Sequence, residues 1–357
     1  MKVFFSKTQM DHRPTQYGVH GRLVRPLENP DRAATLTQSL ARLGLAIEEP
    51  AAAEAAAIET IHPAHYRAFL ETAFECFQAL PNAGPEVLPN VHPYFATAVP
   101  YGGTPLENGA RPRPKTTGIL GQAGWYVGDL SCAMTEGTAR AALASAASAV
   151  AAARAVLAGE DAAFALCRPP GHHAYADRAS GFCFFNNAAI AAALLRERFD
   201  KVAILDFDTH HGDGTQTIFY ARGDVFFGSV HTDPSAYYPH FLGYGDETGH
   251  GEGEGCNLNR PLAFGTGDAG YVEAVVDIVA AARRFGAEAL VVSAGWDAHR
   301  DDPLSKLAVS GAVYPRLGEM LGALKLPTVI VQEGGYSLAA VSQAAPDFVS
   351  AFMSARG

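Results

Sequence analysis

The sequence lacks the features of membrane and secreted proteins. No apolar run approaches the roughly 18 continuous residues that a membrane helix needs, so we expect no transmembrane span and no membrane partner. Residues 1–7 lack the apolar core and the small-residue cleavage site of a secretory signal. These absences predict a cytoplasmic location.

Cysteine and positive charge are also scarce. The five cysteines are scattered and form no Cys-x-x-Cys pair, which argues against a disulfide framework and against a thiolate zinc site. Any metal must therefore be held by histidines and carboxylates. The formal net charge of -10 disfavours nucleic acid as a partner and is compatible with a small cationic substrate.

Short apolar runs alternate with helical stretches through most of the chain. The sequence predicts strands at 202–206, 225–230, 289–293 and 328–331, and helices at 30–44, 135–157, 187–199, 268–285 and 313–324. Uninterrupted apolar strands that alternate with helices are typical of a buried parallel sheet. We therefore predict a single α/β domain over 1–357, with a mainly parallel central sheet and helices on both of its faces.

Proline and glycine interrupt this pattern over residues 81–118. Eight of the chain's 22 prolines lie within 81–114, and proline neither donates to a strand ladder nor continues a helix. An irregular excursion is predicted there, and it could form a lid, a specificity loop, an oligomer contact or a surface insertion without function. We expect a homodimer whose contact includes this segment.

Ionisable side chains follow the predicted strands. Asp208 and His210 stand two apart at a strand end, where an extended backbone directs both side chains to the same side. Asp297 follows another strand and can supply a third ligand. Such a set suits zinc, or iron or cobalt, and leaves a position for water. One Asp–His pair alone more often caps a turn, but the density of this cluster favours a metal site.

Two adjacent histidines, His172 and His173, follow a Pro-Pro-Gly turn. Adjacent histidines are usually a coincidence of a protein surface. Here Asp206 and Asp213 bracket the metal motif, and each could orient one imidazole through its second nitrogen. Two carboxylate–histidine pairs suited to proton transfer are therefore predicted.

Taken together, these motifs resemble the signatures of histone deacetylase-like amidohydrolases. The matching segments are PPGHH at 169–173, SGFCF at 180–184, DFDTHHGDGTQ at 206–216, Asp297, and EGGY at 333–336. The excursion and the stretch 239–244 look more like the bacterial acetylpolyamine amidohydrolase branch than the eukaryotic histone-directed enzymes. The resemblance implies the arginase-deacetylase fold and hydrolysis of the N-acetyl amide of a small amine, with acetylcadaverine or acetylputrescine as the expected substrates.

The resemblance also implies two bound cations. Zinc on Asp208, His210 and Asp297 would polarise the acetyl carbonyl and acidify a water molecule. A structural potassium ion is implied around Asp206, Asp208, His210 and Ser229.

Catalytic roles follow from the same resemblance. His173, paired with Asp213, is implied as the general base that later protonates the leaving amine, and His172, paired with Asp206, gives electrostatic support. Tyr336 is implied as the hydrogen-bond donor to the developing oxyanion.

Substrate binding is expected along an aromatic tunnel. Gly181, Phe182 and Tyr238 occupy positions that resemble its walls, although both aromatic residues could be ordinary core residues. Polyamine-directed members carry an acidic residue where this chain has Leu120. Glu107 is a possible substitute for that residue.

Three alternative functions differ from this one, the first in its substrate and the other two in their class. A protein lysine deacetylase would present the same acetamide and the same methylene chain to the tunnel. A manganese ureohydrolase of the arginase type would be expected to show a second Asp-x-Asp metal motif. A catalytically inactive binding protein would be expected to have lost a ligand, a histidine or Tyr336, and all of these are present.

Overall fold

A computed structural model describes residues 1–93 and 108–357. Its strands are β1 (Lys2–Phe4), β2 (Tyr17–Val19), β3 (Arg22–Val24), β4 (Ile47–Glu48), β5 (Ala162–Ala165), β6 (Val202–Asp206), β7 (Val225–Thr232), β8 (Asn257–Leu262), β9 (Ala289–Ala294) and β10 (Thr328–Gln332). Its helices are α1 (Pro30–Ala41), α2 (Ala55–Glu59), α3 (Ala64–Gln78), α4 (Ile119–Tyr126), α5 (Thr138–Leu157), α6 (Asn187–Leu195), α7 (Asp213–Phe219), α8 (Asp268–Phe285), α9 (Val313–Gly322) and α10 (Leu338–Arg356).

Eight of these strands form one parallel sheet. Their order is β4-β1-β5-β10-β9-β6-β7-β8, and every neighbouring pair is parallel. β2 and β3 form a separate antiparallel ribbon. The predicted α/β class with a mainly parallel central sheet is confirmed.

Side chains alternate between the two faces of the sheet. Along β9, Leu290 and Val292 belong to an apolar cluster with α1, α8, α9 and α10. Val291, between them, belongs to a second cluster with α3, α4, α5 and α6. A strand whose successive residues are all buried needs cover on both sides, which explains its uninterrupted apolar sequence. Helices therefore lie on both faces, as predicted.

Helix boundaries follow local hydrogen bonds. The Asn29 side chain accepts from the backbone of Asp31 at 2.9 Å, which caps α1 where the sequence predicts its start. α5 begins at Thr138 and not at Thr135, because Thr138 Oγ1 accepts from the backbone of Thr135 at 2.7 Å in the preceding turn. α6 ends at Leu195, four residues before the predicted 199.

The alanine-rich helix α5 is a core helix, as predicted. Within the described part of the chain it is the one helix long and apolar enough to cross a bilayer. More than half of its apolar stretch is buried inside the protein, where it packs with α6 and the sheet. Burial of this kind is usual for the central helix of an α/β fold.

The carboxyl ends of the central strands lie side by side. β6 pairs with β9 and β7, so that Asp206 stands opposite Ser293 on one side and opposite Ser229 on the other. The loops after β5, β6, β9 and β10 therefore meet at one edge of the sheet. Residues 94–107, which include Glu107 and the middle of the predicted excursion, lie outside the described residues. The single domain and the dimer contact stay predictions.

Candidate active site

The three predicted metal ligands lie together at this edge. A carboxylate oxygen of Asp208, Nδ1 of His210 and a carboxylate oxygen of Asp297 all lie within 4.8 Å of one another. His210 Nδ1 is 3.0 Å from Asp208 Oδ1 and 3.2 Å from Asp297 Oδ2. All three residues are buried, so a cation between them would be shielded from solvent.

The electrostatics of this cluster fit a divalent cation. Asp297 Oδ2 is buried and accepts no hydrogen bond from any residue in the described ranges. Burial and the neighbouring Asp208 carboxylate raise the pKa of Asp297 to about 7. Two carboxylates in such proximity repel each other unless a positive charge lies between them. The residues present therefore suit a metal ion.

Backbone amides hold the two carboxylates in place. Asp208 Oδ2 accepts from the backbone of Gly334 at 2.8 Å, and Asp297 Oδ1 accepts from the backbone of Thr209 at 3.0 Å. A Cβ atom on Gly334 would lie only 2.2 Å from Asp297 Oδ2 and 2.5 Å from Asp208 Oδ2. Only glycine allows this close approach of the β10 loop to the ligands.

Tyr237 contacts His210, and the sequence gives no signal for this contact. His210 Nε2 donates to the Tyr237 hydroxyl at 2.9 Å, and that hydroxyl donates in turn to the backbone oxygen of Leu304. Because the proton resides on Nε2, the Nδ1 lone pair of His210 is left for a metal.

The two adjacent histidines pair with the two predicted carboxylates. His172 Nδ1 lies 2.9 Å from Asp206 Oδ2, and His173 Nδ1 lies 2.7 Å from Asp213 Oδ1. The rings are 4.0 Å apart. In both predicted pairs the imidazole and the carboxylate therefore lie within hydrogen-bond distance.

Their environments move the two pKa values in opposite directions. Burial alone would lower the pKa of His172, but the Asp206 and Asp208 carboxylates outweigh it and raise that pKa to about 10. Burial and the charge of His172 lower the pKa of His173 to about 4. At neutral pH His172 is therefore an imidazolium, and His173 is a neutral imidazole whose Nε2 can accept a proton.

Tyr336 lies in a loop fixed by two residues whose functions the sequence did not reveal. Its backbone N–H donates to Asp302 Oδ2 at 2.6 Å. The guanidinium carbon of Arg32 lies 4.6 Å from the centre of its ring, and Arg32 also donates to the backbone oxygen of Glu333 at 2.7 Å. Burial raises the pKa of Tyr336 well above its usual value, which keeps the phenol protonated and able to donate a hydrogen bond.

The predicted tunnel residues adjoin His173 and Tyr336. The ring of Phe182 lies 6.0 Å from that of Tyr336, and the ring of Tyr238 lies 5.0 Å from that of His173. Both aromatic side chains are only half-buried, unlike core residues. Gly181 precedes Phe182 in the same turn, whereas Leu120 lies on α4 and is 42% exposed.

The residues expected to hold potassium are neighbours at the end of β6. Asp206 and Ser229 face each other in the parallel register of β6 and β7, and both are fully buried. Asp206 Oδ1 accepts from the backbone of Asp208 at 3.0 Å, and His210 follows two residues later.

Comparison with known proteins agrees with this geometry. The family model described as the histone deacetylase domain matches residues 26–352. This chain belongs to the histone deacetylase family. Membership assigns it to the family's hydrolases and confirms the resemblance found in the motifs. The match spans the predicted metal ligands, both histidine pairs and Tyr336.

Within the family, the chain is similar over its whole length to named bacterial enzymes. It is 44% identical to the acetylpolyamine amidohydrolase of Burkholderia pseudomallei (strain 1710b), with 100% of both chains aligned. It is 41% identical to the acetylpolyamine amidohydrolase of Mycoplana ramosa over 95% of each. A crystal structure of acetylpolyamine aminohydrolase from Burkholderia pseudomallei superposes with a TM-score of 0.92, at 44% identity and 99% coverage of each chain.

Proposed function

We propose that this protein hydrolyses the acetyl amide of small N-acetylated amines, such as acetylcadaverine or acetylputrescine, and releases acetate and the free amine. The observation that carries this proposal is His173, hydrogen-bonded to Asp213 and 5.8 Å from the ring of His210, beside a buried Asp–His–Asp cluster that suits a metal. The names of the full-length relatives support the acetylpolyamine class of substrate. The net charge of -10 favours the cationic amines of this class.

Zinc is the metal that we propose for Asp208, His210 and Asp297. A set of one imidazole and two carboxylates suits it, and three protein ligands leave a further position open, as in catalytic sites. When bound, zinc supplies a Lewis acid that polarises an amide carbonyl and acidifies water towards a pKa of about 7.

Proton transfer falls to the two histidine pairs. His173 Nε2 accepts a proton from the attacking water, while its Nδ1–H stays hydrogen-bonded to Asp213, which favours the resulting imidazolium. The same proton then passes to the nitrogen of the leaving amine. His172 remains charged against Asp206 and keeps His173 a weak base, so that His173 readily gives the proton back.

Tyr336 and the aromatic walls act on the substrate itself. The protonated phenol of Tyr336 donates a hydrogen bond to the acetyl oxygen as negative charge develops there. Gly181, Phe182 and Tyr238 line the path of the methylene chain. We call the space between the Phe182 and Tyr238 rings the substrate passage.

Two further assignments complete the proposal. Asp206, Asp208, His210 and Ser229 hold a structural potassium ion. The protein is a cytoplasmic homodimer whose contact includes residues 81–118, and its five free cysteines suit a reducing compartment. Sedimentation of the purified protein as a monomer at micromolar concentration would contradict the dimer.

A deacetylation screen tests the proposed activity. Purified zinc-loaded protein is incubated with acetylcadaverine, acetylputrescine, acetylspermidine and an acetyl-lysine peptide, and the released acetate is measured. We expect the small amines to be hydrolysed with the highest kcat/KM. Metal-loaded protein that hydrolyses none of them would overturn the deacetylase assignment, and a preference for the peptide would overturn the small-amine assignment.

A further inference from the structure

A half-buried carboxylate outside every sequence motif connects the two sides of the substrate passage. Asp129 Oδ1 accepts from the backbone N–H of Ser131 at 2.8 Å and from its hydroxyl. Asp129 Oδ2 lies 2.9 Å from Ser180 Oγ, 3.0 Å from the backbone nitrogen of Gly181 and 2.8 Å from the Tyr238 hydroxyl. One side chain thus fastens three separate segments of the chain.

The first side of the passage is a strained turn that needs such support. Ser180 and Cys183 exchange backbone hydrogen bonds of 3.1 and 2.8 Å, so Gly181 and Phe182 are the central residues of a tight turn. Their φ angles are +53° and +69°. A residue with a large side chain rarely adopts such a conformation and keeps it only where its surroundings enforce it.

Asp129 and Ser131 together hold the turn in this conformation. Gly181 N–H is bound by Asp129 Oδ2, and Phe182 N–H is bound by Ser131 Oγ at 3.2 Å. Both central amides of the turn therefore depend on this pair. The ring of Phe182 is held 6.0 Å from Tyr336 as a result.

The second side of the passage depends on the same carboxylate. The Tyr238 hydroxyl donates to Asp129 Oδ2, and the Tyr238 ring lies 5.0 Å from His173 and 6.2 Å from His210. Burial would raise the pKa of Asp129, but hydrogen bonds from Ser131, Tyr238 and Gly181 lower it, so the acceptor is an anion. Hydrogen bonds to an ionised acceptor are stronger than those between neutral groups.

We propose that Asp129 is a positioning residue that sets the separation of Phe182 and Tyr238 and so determines how tightly the passage holds an unbranched methylene chain. This inference rests on the proposed function in one respect: the substrate passage is taken to hold the methylene chain of the substrate. Asp129 contacts neither the metal ligands nor the catalytic histidines through any hydrogen bond found among the described residues. Replacement of Asp129 should therefore weaken the binding of a methylene chain and leave the metal site intact.

Two zinc-chelating hydroxamates of different length test this proposal. Acetohydroxamic acid is too short to fill the passage, whereas octanohydroxamic acid extends a methylene chain along it. In Asp129→Asn an amide N–H₂ group, which cannot accept a hydrogen bond, replaces one of the carboxylate oxygens that now accept from the neighbouring N–H and O–H groups. We expect the Kd of octanohydroxamic acid to rise about 10-fold in titration calorimetry of zinc-loaded protein, or about 1.4 kcal/mol. The Kd of acetohydroxamic acid and the zinc content should not change.

A matched variant and a milder one complete the experiment. Asp347→Asn makes the same chemical change at an exposed position on α10 and should alter neither Kd. If Asp129→Asn does not fold, Tyr238→Phe removes one of the donors to Asp129 and should weaken octanohydroxamic acid selectively, by about 3-fold. Equal weakening of both hydroxamates, or of neither, in the variant that folds would overturn the proposal.

The outcome does not depend on the proposed substrate, because hydroxamates bind without being hydrolysed. Wild-type protein that binds both hydroxamates but hydrolyses no acetylated amine would contradict the proposed function and leave the role of Asp129 standing. For any amine that is hydrolysed, Asp129→Asn should raise KM about 10-fold, in line with the loss of chain binding, with little change in kcat.

Discussion

The proposed metal site and the proposed substrate passage are built from different parts of the chain. The ligands follow β6 and β9, which are neighbours in the sheet, and backbone amides hold their carboxylates. The passage is formed by turns outside the sheet, and its geometry depends on side-chain hydrogen bonds to Asp129. The register of the sheet therefore positions the proposed metal ligands, whereas a few side chains in loops shape the proposed passage. Substitutions in the first region should abolish activity, and those in the second should redistribute it.

Loss of a ligand charge should have the largest effect. Asp297→Asn keeps the shape of the side chain but removes the charge that a cation would neutralise. We expect metal affinity to fall by more than the roughly 10–100-fold that is typical for partners of ligands, with activity falling in parallel. Metal content after dialysis and acetate release measure this. Asp301→Asn, at an exposed neighbour, should keep both, and an Asp297→Asn protein with full metal content would show that Asp297 is not a ligand.

Tyr336→Phe should lower the rate of hydrolysis without changing metal binding at the same edge of the sheet. The phenylalanine ring can still lie beneath the Arg32 guanidinium, but the hydrogen bond to the developing oxyanion is lost. We expect kcat to fall about 10²–10³-fold, as for the loss of one oxyanion donor in other hydrolases. Zinc content should equal that of the wild type. A loss of zinc in this variant would mean that Tyr336 supports the metal site and is not a catalytic donor.

His172→Gln should change the pH profile more than the maximal rate. The charge of His172 lowers the pKa of His173, and base catalysis requires neutral His173. Without that charge the pKa of His173 rises from about 4, so the base form is lost at a higher pH than in the wild type.

The acid limb of kcat/KM should therefore move to higher pH, with a several-fold loss at pH 5 relative to pH 8. A pH–rate profile of both proteins measures the shift. An acid limb that stays in place or moves to lower pH would show that His172 does not control the basicity of His173.

The same contrast explains what the sequence could predict. Asp208 and His210 were predicted because strand ends in a parallel sheet converge and because extended residues two apart share a side. The histidine pairs were predicted from the Pro-Pro-Gly turn and from the carboxylates that bracket the metal motif. Arg32 donates to Glu333, 301 residues away, and Tyr237 reaches His210 across 27 residues. No local pattern marks such contacts. Asp129 was missed for the same reason, since its donors come from positions 131, 180, 181 and 238.

The smallest expected effect concerns the distal end of the substrate. Leu120 is 42% exposed on α4 and stands where polyamine-directed relatives are expected to carry an acidic residue. Leu120→Glu tests whether a negative charge at this position attracts the second cationic group of acetylspermidine. An exposed ion pair contributes about 0.2–1 kcal/mol, so we expect KM for acetylspermidine to fall by about 1.5- to 5-fold.

Two controls isolate the charge from the change of shape. Leu120→Gln has the same size as the glutamate variant and should leave KM for acetylspermidine unchanged. N-butylacetamide has no charge and should be hydrolysed equally by all three proteins. Added salt at about 0.5 M should remove the gain, because exposed charges are screened over a few ångströms at that ionic strength. A gain that persists in salt, or that glutamine reproduces, would show that shape and not charge at Leu120 selects the amine.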